Sequence, residues 1–156
     1  AVFDGLASAA NSMDWHKNSR RIAVLIGDAP PHGTGESVDD KFPTGCPCGL
    51  TLKHTSSLLE EKRITQYAIG LNHAVTKSFK ELAEYTGGKF FVADPLRAMD
   101  AISKILQKEF SNVEFDKKVL DHVQKNEDTD DIAVLLVSDR YTVSAAISRL
   151  GSRELL

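Results

Sequence analysis

The sequence predicts an α/β protein, a parallel sheet with helices on both faces followed by a small helical tail. Three observations carry this. Short apolar runs at 22–26, 64–69 and 89–92 are closed by Gly27, by Gly70 and by Asp94-Pro95, as strands are. The stretches between the runs place apolar residues at helical intervals, and strands alternating with helices mean βα units. Finally, Asp28 stands at the carboxyl end of the first run, where open α/β sheets place their ligands. Pro30-Pro31 follows at once, so no helix starts there and the chain must cross the top edge of the sheet.

Taken in order, residues 1–13 read as the end of an amphipathic helix, with Val2, Phe3, Leu6, Ala9 and Ala10 on one stripe; 14–19 are a polar connection. The first strand, 21–26, is a continuous apolar run, partly β-branched, as a strand buried on both faces requires. A long loop reaches from Gly27 to about Cys48. Residues 50–62 set Leu52, Leu58 and Leu59 at helical spacing with charges opposite, a surface helix. The second strand is 64–69. Thr76 or Ser78 caps a helix over 79–85 that stops at Gly87. The third strand is 89–92, and Pro95 opens a helix through Phe110 with Met99, Ile102, Ile105 and Leu106 on its buried face. Three strands are few for such a sheet, so further strands are expected from missing chain or from a partner.

From Ser111 the pattern changes, which divides the chain into an α/β domain at 1–110 and a helical module at 111–156. Phe115, Val119, Leu120 and Val123 share one helix face. Asp130 or Asp131 caps a short helix over 132–137, Ser138-Asp139 makes a turn, and 142–150 is a further helix. The succession has the rhythm of a helix-turn-helix, whose second helix enters the major groove. That helix carries only Arg149, with Arg140 and Arg153 beside it. A packing or protein-contact module is therefore the first expectation for the tail, and nucleic-acid binding the alternative.

The 156 residues suit one domain of ordinary size with a real core, and 42% hydrophobic with 26% charged residues is a globular composition. A net charge of −3 gives no general attraction to nucleic acid or anionic membranes. No apolar run approaches the roughly 18 residues of a membrane span, and no signal-peptide pattern opens the chain. Cys46 and Cys48 stand too close for an unstrained disulfide, so free thiols and an intracellular, cytoplasmic setting are expected.

The stretch Gly27-Asp-Ala-Pro-Pro-His-Gly33 after its strand resembles the fourth strand of a von Willebrand factor type A domain, in the branch found in alpha-kinase-associated proteins. The acidic Asp39-Asp40-Lys-Phe-Pro-Thr-Gly45 loop, Gly49-Leu50, residues 64–70 and Gly87-Gly-Lys-Phe-Phe-Val-Ala-Asp94 are similar to the elements that follow in that family, in the same order. The resemblance covers roughly residues 1 to 110. It implies a Rossmann-like sheet and a non-enzymatic protein-binding or scaffolding module that grips an acidic residue of a protein partner at the sheet's carboxyl edge. In such domains an Asp like Asp28 joins an Asp-x-Ser-x-Ser strand end and a Thr to hold a divalent ion, usually magnesium. This chain has no Asp-x-Ser-x-Ser and begins without Met inside an apparent helix, so it reads as the second half of such a domain with an incomplete metal site.

Asp28 is the expected magnesium ligand, against a turn residue that bonds nearby amides. His32, Asn72, His73 and Asp94 are candidates for the same ligand or partner edge, although Asp94-Pro95 also reads as a plain helix start. His32, Cys46, Cys48 and His54 offer an alternative zinc set, but Cys-Pro-Cys is tighter than common zinc spacings, and a loop with two ordinary thiols competes with it. Gly33-Thr34-Gly35 lacks the Lys-Ser/Thr ending of a phosphate loop. The functional alternatives are a regulatory domain of a larger enzyme and nucleic-acid binding through the tail. An exposed sheet edge also invites a homodimer.

Overall fold

The computed structural model describes residues 2–36 and 41–156, so Asp39 and Asp40 lie outside the described residues. The chain divides into two compact units, Ala1–Trp15 with Arg21–Ser103, and His16–Arg20 with Lys104–Leu156.

The first unit is α/β. Helix α1 (Val2–Ser12) is followed by β1 (Arg21–Gly27), α2 (Leu52–Glu61), β2 (Ile64–Gly70), a single 3₁₀ turn (His73–Val75), α3 (Thr76–Tyr85) and β3 (Phe90–Val92). The three strands form a parallel sheet in the order β1-β2-β3, flanked by helices. All seven residues of β2 are buried, so both faces of the central strand are covered. Two of its residues, Ile64 and Ala68, belong to apolar clusters. Ile64 packs with Phe3, Leu6, Ala10, Leu59 and Leu82, and Ala68 packs with Val75, Phe79 and Ala83. β1 carries the apolar run of a buried strand yet lies only half-buried at the edge of the described sheet, with Ile26 42% exposed.

Helix boundaries depart from the sequence expectation where a side chain captures backbone amides. Thr51 caps α2 by accepting from the His54 amide at 3.2 Å. Helix α3 begins at Thr76, earlier than expected, because Asn72 first caps the 3₁₀ turn and that turn leads straight into the helix. Helix α4 (Ala98–Val123) begins three residues after Pro95, since the Asp94 carboxylate holds the Leu96 and Arg97 amides in a turn.

α4 continues without interruption past Phe110, and its residues from Lys104 onward belong to the second unit. No Pro or Gly occurs in it, so the helix expected to end at Phe110 and the one expected after Ser111 are one element. Its buried stripe also differs. Ala98, Ala101 and Ile105 are buried and Ile102 is half-buried, whereas Met99 and Leu106 are 66% and 42% exposed. Two stripes at i, i+3, i+7 spacing compete on this helix, and the one that carries the alanines is buried.

The second unit adds α5 (Thr129–Leu135) and α6 (Arg140–Ser152) to the later turns of α4. Asp128, not Asp130 or Asp131, caps α5, accepting from both their amides at 2.9 Å. Asp139 caps α6 through the Thr142 amide at 2.8 Å. The core gathers Val119, Ile132, Ala133, Val143, Ala146 and Leu150. α4 also buries two acids seven residues apart, Glu109 and Asp116, and therefore on one face. Arg20 bonds Glu109 at 2.9 Å, and Arg149 bonds Asp116 at 2.6 Å with Arg153 at 3.5 Å.

Among the described residues, no helix is long and apolar enough to cross a membrane.

Candidate functional site

The carboxyl edge of the sheet is built by register. Gly27 pairs with Gly70 and Gly70 with Val92, so the three strands end level and the residues after them share one edge. Leu71 and Ala93 extend the pairing by donating to the Gly27 and Gly70 carbonyls at 2.9 and 3.0 Å. This places Asp28, Asn72, His73 and Asp94 beyond the ends of adjacent strands. Two of these are engaged in holding the backbone. Asn72 donates to the Asp28 carbonyl at 2.8 Å and accepts from the Ala74 amide, while Asp94 caps the turn before α4. The side chains of Asp28 and His73 belong to exposed residues.

Magnesium asks for near-octahedral oxygen coordination. Among the described residues no trio of carboxylate, imidazole or thiol ligands gathers around Asp28. The residues present do not by themselves make the magnesium site that the family resemblance implies. A groove of about 630 Å³ runs along β1 between that strand and α1, lined by Leu6, Ala9, Val24, Ile26 and Phe79 and ending at Asp28.

Gly33 packs so closely on Gly45 that a Cβ on Gly33 would lie 2.5 Å from the Gly45 Cα, and the φ of +76° at Gly33 also favours glycine. This contact seats a cleft of about 330 Å³ lined by His32, Thr34, Glu36, Lys53, Lys77 and Ser78 among others. The His32 ring lies 4.6 Å from that of Phe42, and its buried Nδ1 has no hydrogen-bond partner. Glu36 accepts from the Lys77 and Ser78 amides at 2.8 and 3.0 Å, so its carboxylate sits where a helix N-terminus attracts an anion. Nothing in the sequence near α3 announced this cap, because it comes from 40 residues upstream.

The cysteines gather with a different partner from the one expected. Two turns bracket Cys-Pro-Cys, closed by Gly45 N–H to the Phe42 carbonyl at 3.0 Å and Gly49 N–H to the Cys46 carbonyl at 2.9 Å. Cys46 is thereby driven into the apolar cluster with Phe3, Leu6 and Ala10, and α1 brings Asp4 to it. The Sγ atoms of Cys46 and Cys48 lie 2.7 Å apart, and Cys46 Sγ is 3.7 Å from Asp4 Oδ2. One ligand atom from each of Asp4, Cys46 and Cys48 falls within 4.8 Å of the others, while His32 and His54 stand outside the group. Both thiols are free. The Cys48 thiol donates to the Cys46 sulfur, which pushes its pKa up to about 11. Hydrogen bonding from Cys48 holds the Asp4 carboxyl below its ordinary value. Sequence spacing found the two thiols; it gave no signal for Asp4, since residue 4 and residue 46 meet only through packing.

In the tail, Arg149 and Arg153 point at Asp116, and Arg140 lies 3.4 Å from Asp130. The three arginines of the expected recognition helix and its flanks are thus paired within their own unit.

In comparison with known proteins, the chain is 44% identical over 52 residues to alpha-protein kinase vwkA of Dictyostelium discoideum, a match covering 33% of this chain and 8% of that protein. No protein-family model matches the chain. No solved structure matches it significantly.

Proposed function

We propose that this chain is a non-enzymatic protein-binding module of von Willebrand factor type A kind, with an incomplete metal-dependent adhesion site. Its partner engages the sheet along β1 and at the carboxyl edge beside Asp28. The single observation that carries this is the state of β1. Its run Ile22-Ala-Val-Leu-Ile26 has the composition of a strand covered on both faces, yet it lies half-buried beside an apolar groove that ends at an exposed carboxylate. Unpaired strand edges with apolar flanks are templates for β-augmentation, in which main-chain hydrogen bonds supply affinity and side-chain pockets supply specificity. The polar groups at the edge favour binding over catalysis, because Asn72 and Asp94 are engaged in capping.

The test is selection of peptides from a displayed library against the chain, followed by Ile26→Glu and Asp28→Ala. Extended apolar peptides are expected, losing at least about tenfold in affinity, or roughly 1.4 kcal/mol, in the Ile26 variant. Ligands indifferent to both substitutions overturn the proposal.

The likeness to a stretch of alpha-protein kinase vwkA favours a second reading, in which the module regulates a kinase within a longer protein. Its test is the activity of such a kinase with and without this segment in cis.

A further inference from the structure

We propose that Asp4, Cys46 and Cys48 form a binding site for one thiophilic divalent cation of the zinc class, with a fourth position open to solvent or to a partner's ligand. The argument is independent of the sheet edge and of Asp28.

Three donors from two distant segments converge here: two thiols of one tight loop and a carboxylate from the first turn of α1. Zinc takes thiolate sulfur at about 2.3 Å and carboxylate oxygen at about 2.0–2.2 Å in tetrahedral geometry. Those bond lengths set a sulfur–sulfur edge of roughly 3.8 Å and a sulfur–oxygen edge of roughly 3.5 Å. The Cys46 Sγ to Asp4 Oδ2 distance of 3.7 Å already matches the second. The sulfurs at 2.7 Å must open by roughly 1 Å. Cys48 is exposed and can rotate about χ1, so this needs no movement of the buried Cys46. Once metal binding has displaced both thiol protons, the two thiolates also repel each other, which drives the same opening.

The donor set selects the ion. Two thiolates disfavour magnesium and calcium, which take oxygen ligands, and a carboxylate beside two thiolates suits zinc. Exposure of Cys48 leaves one side of the cluster facing solvent, so the coordination shell has an open position. A cation there joins α1 to the 41–50 loop across the mouth of the apolar cluster that holds Cys46. Metal uptake releases the thiol protons, so affinity rises with pH.

The experiment is calorimetric titration of the full chain with zinc under a non-thiol reductant, with cadmium as a second probe read by its thiolate charge-transfer absorption. One ion per chain is expected. Cys48→Ser should weaken uptake at least about 100-fold, the upper end of what loss of a mere supporting group costs. Asp4→Asn should weaken it at least about tenfold, the lower end of that range. His32→Asn and His54→Asn should bind as the unaltered chain does. Zinc should also raise the melting temperature of the Trp15 fluorescence transition, and far-UV circular dichroism should show that the surface variants keep their fold. No uptake near neutral pH overturns the proposal. Uptake that survives both Cys48→Ser and Asp4→Asn, or that is lost in the histidine variants, overturns it equally.

Discussion

The sheet-bearing unit and the helical unit hide different chemistry. In the first, Leu59, Ala68, Phe79 and Leu82 are fully buried around β2, and stability comes from apolar surface removed from water. In the second, a smaller apolar core sits beside Glu109 and Asp116, which are only 3% and 1% exposed and are held by arginines. A sheet offers its side chains two faces and can be closed by aliphatic packing alone. In the three-helix unit, buried acid–arginine pairs accompany the apolar core. The difference teaches that the first unit should respond to lost volume and the second to lost charge. A buried ion pair adds little net stability over apolar packing, yet breaking one half of it is costly.

The largest expected effect is in the sheet unit. Phe79 is fully buried against Ala68, Val75 and Ala83, and Phe79→Ala should cost about 3–5 kcal/mol. Trp15, the single tryptophan, donates from Nε1 to the Ala9 carbonyl at 2.9 Å and packs on the first unit's core, so its emission reports that loss. Next comes Asp116→Asn, which leaves Arg149 and Arg153 facing each other with no anion between them. It should cost about 3 kcal/mol, measured as lost helical signal. If the Trp15 transition moves equally in this variant, the contrast between the units fails as an energetic description.

The smallest effect is at the α6 cap. Hydrogen bonds from the Thr142 hydroxyl and amide hold the Asp139 carboxyl below its ordinary value of 3.8. A lowered folded value means the contribution is fully present above 3.8 and is lost as pH falls through the folded value. Asp139→Ala should therefore lower the melting temperature by a few degrees at neutral pH. The difference from the unaltered chain should vanish in acid, as thermal melts across that range would show. An equal deficit at every pH would mean that Asp139 acts through packing.

Much of the first unit was legible because strands and helices write their period into the chain. The three strands were found within a residue at each end, since apolar runs closed by Gly27, Gly70 and Asp94-Pro95 admit few other readings. The helices were found, but their starts were set by side chains whose reach the sequence does not show. Asp128 rather than Asp130 takes the amides of α5, and Asp94 delays α4 to Ala98. The buried face of α4 was misread at Met99 and Leu106 because two stripes had equal periodicity and the sequence does not say which is covered. At the carboxyl edge, Asp28, Asn72, His73 and Asp94 could be placed together from topology alone. Asp4 beside the cysteines and Glu36 at α3 could not.

By itself the sequence determined the alternation of strand and helix, the parallel sheet, and the place of Asp28 at the carboxyl end of the first strand. These are local consequences of hydrophobic period and turn residues. Only the tertiary structure decided which acid met which arginine in the helical unit, and that a residue near the start of the chain joins two thiols about forty positions away. Such meetings depend on how elements pack against one another in three dimensions, and linear spacing carries no record of that distance.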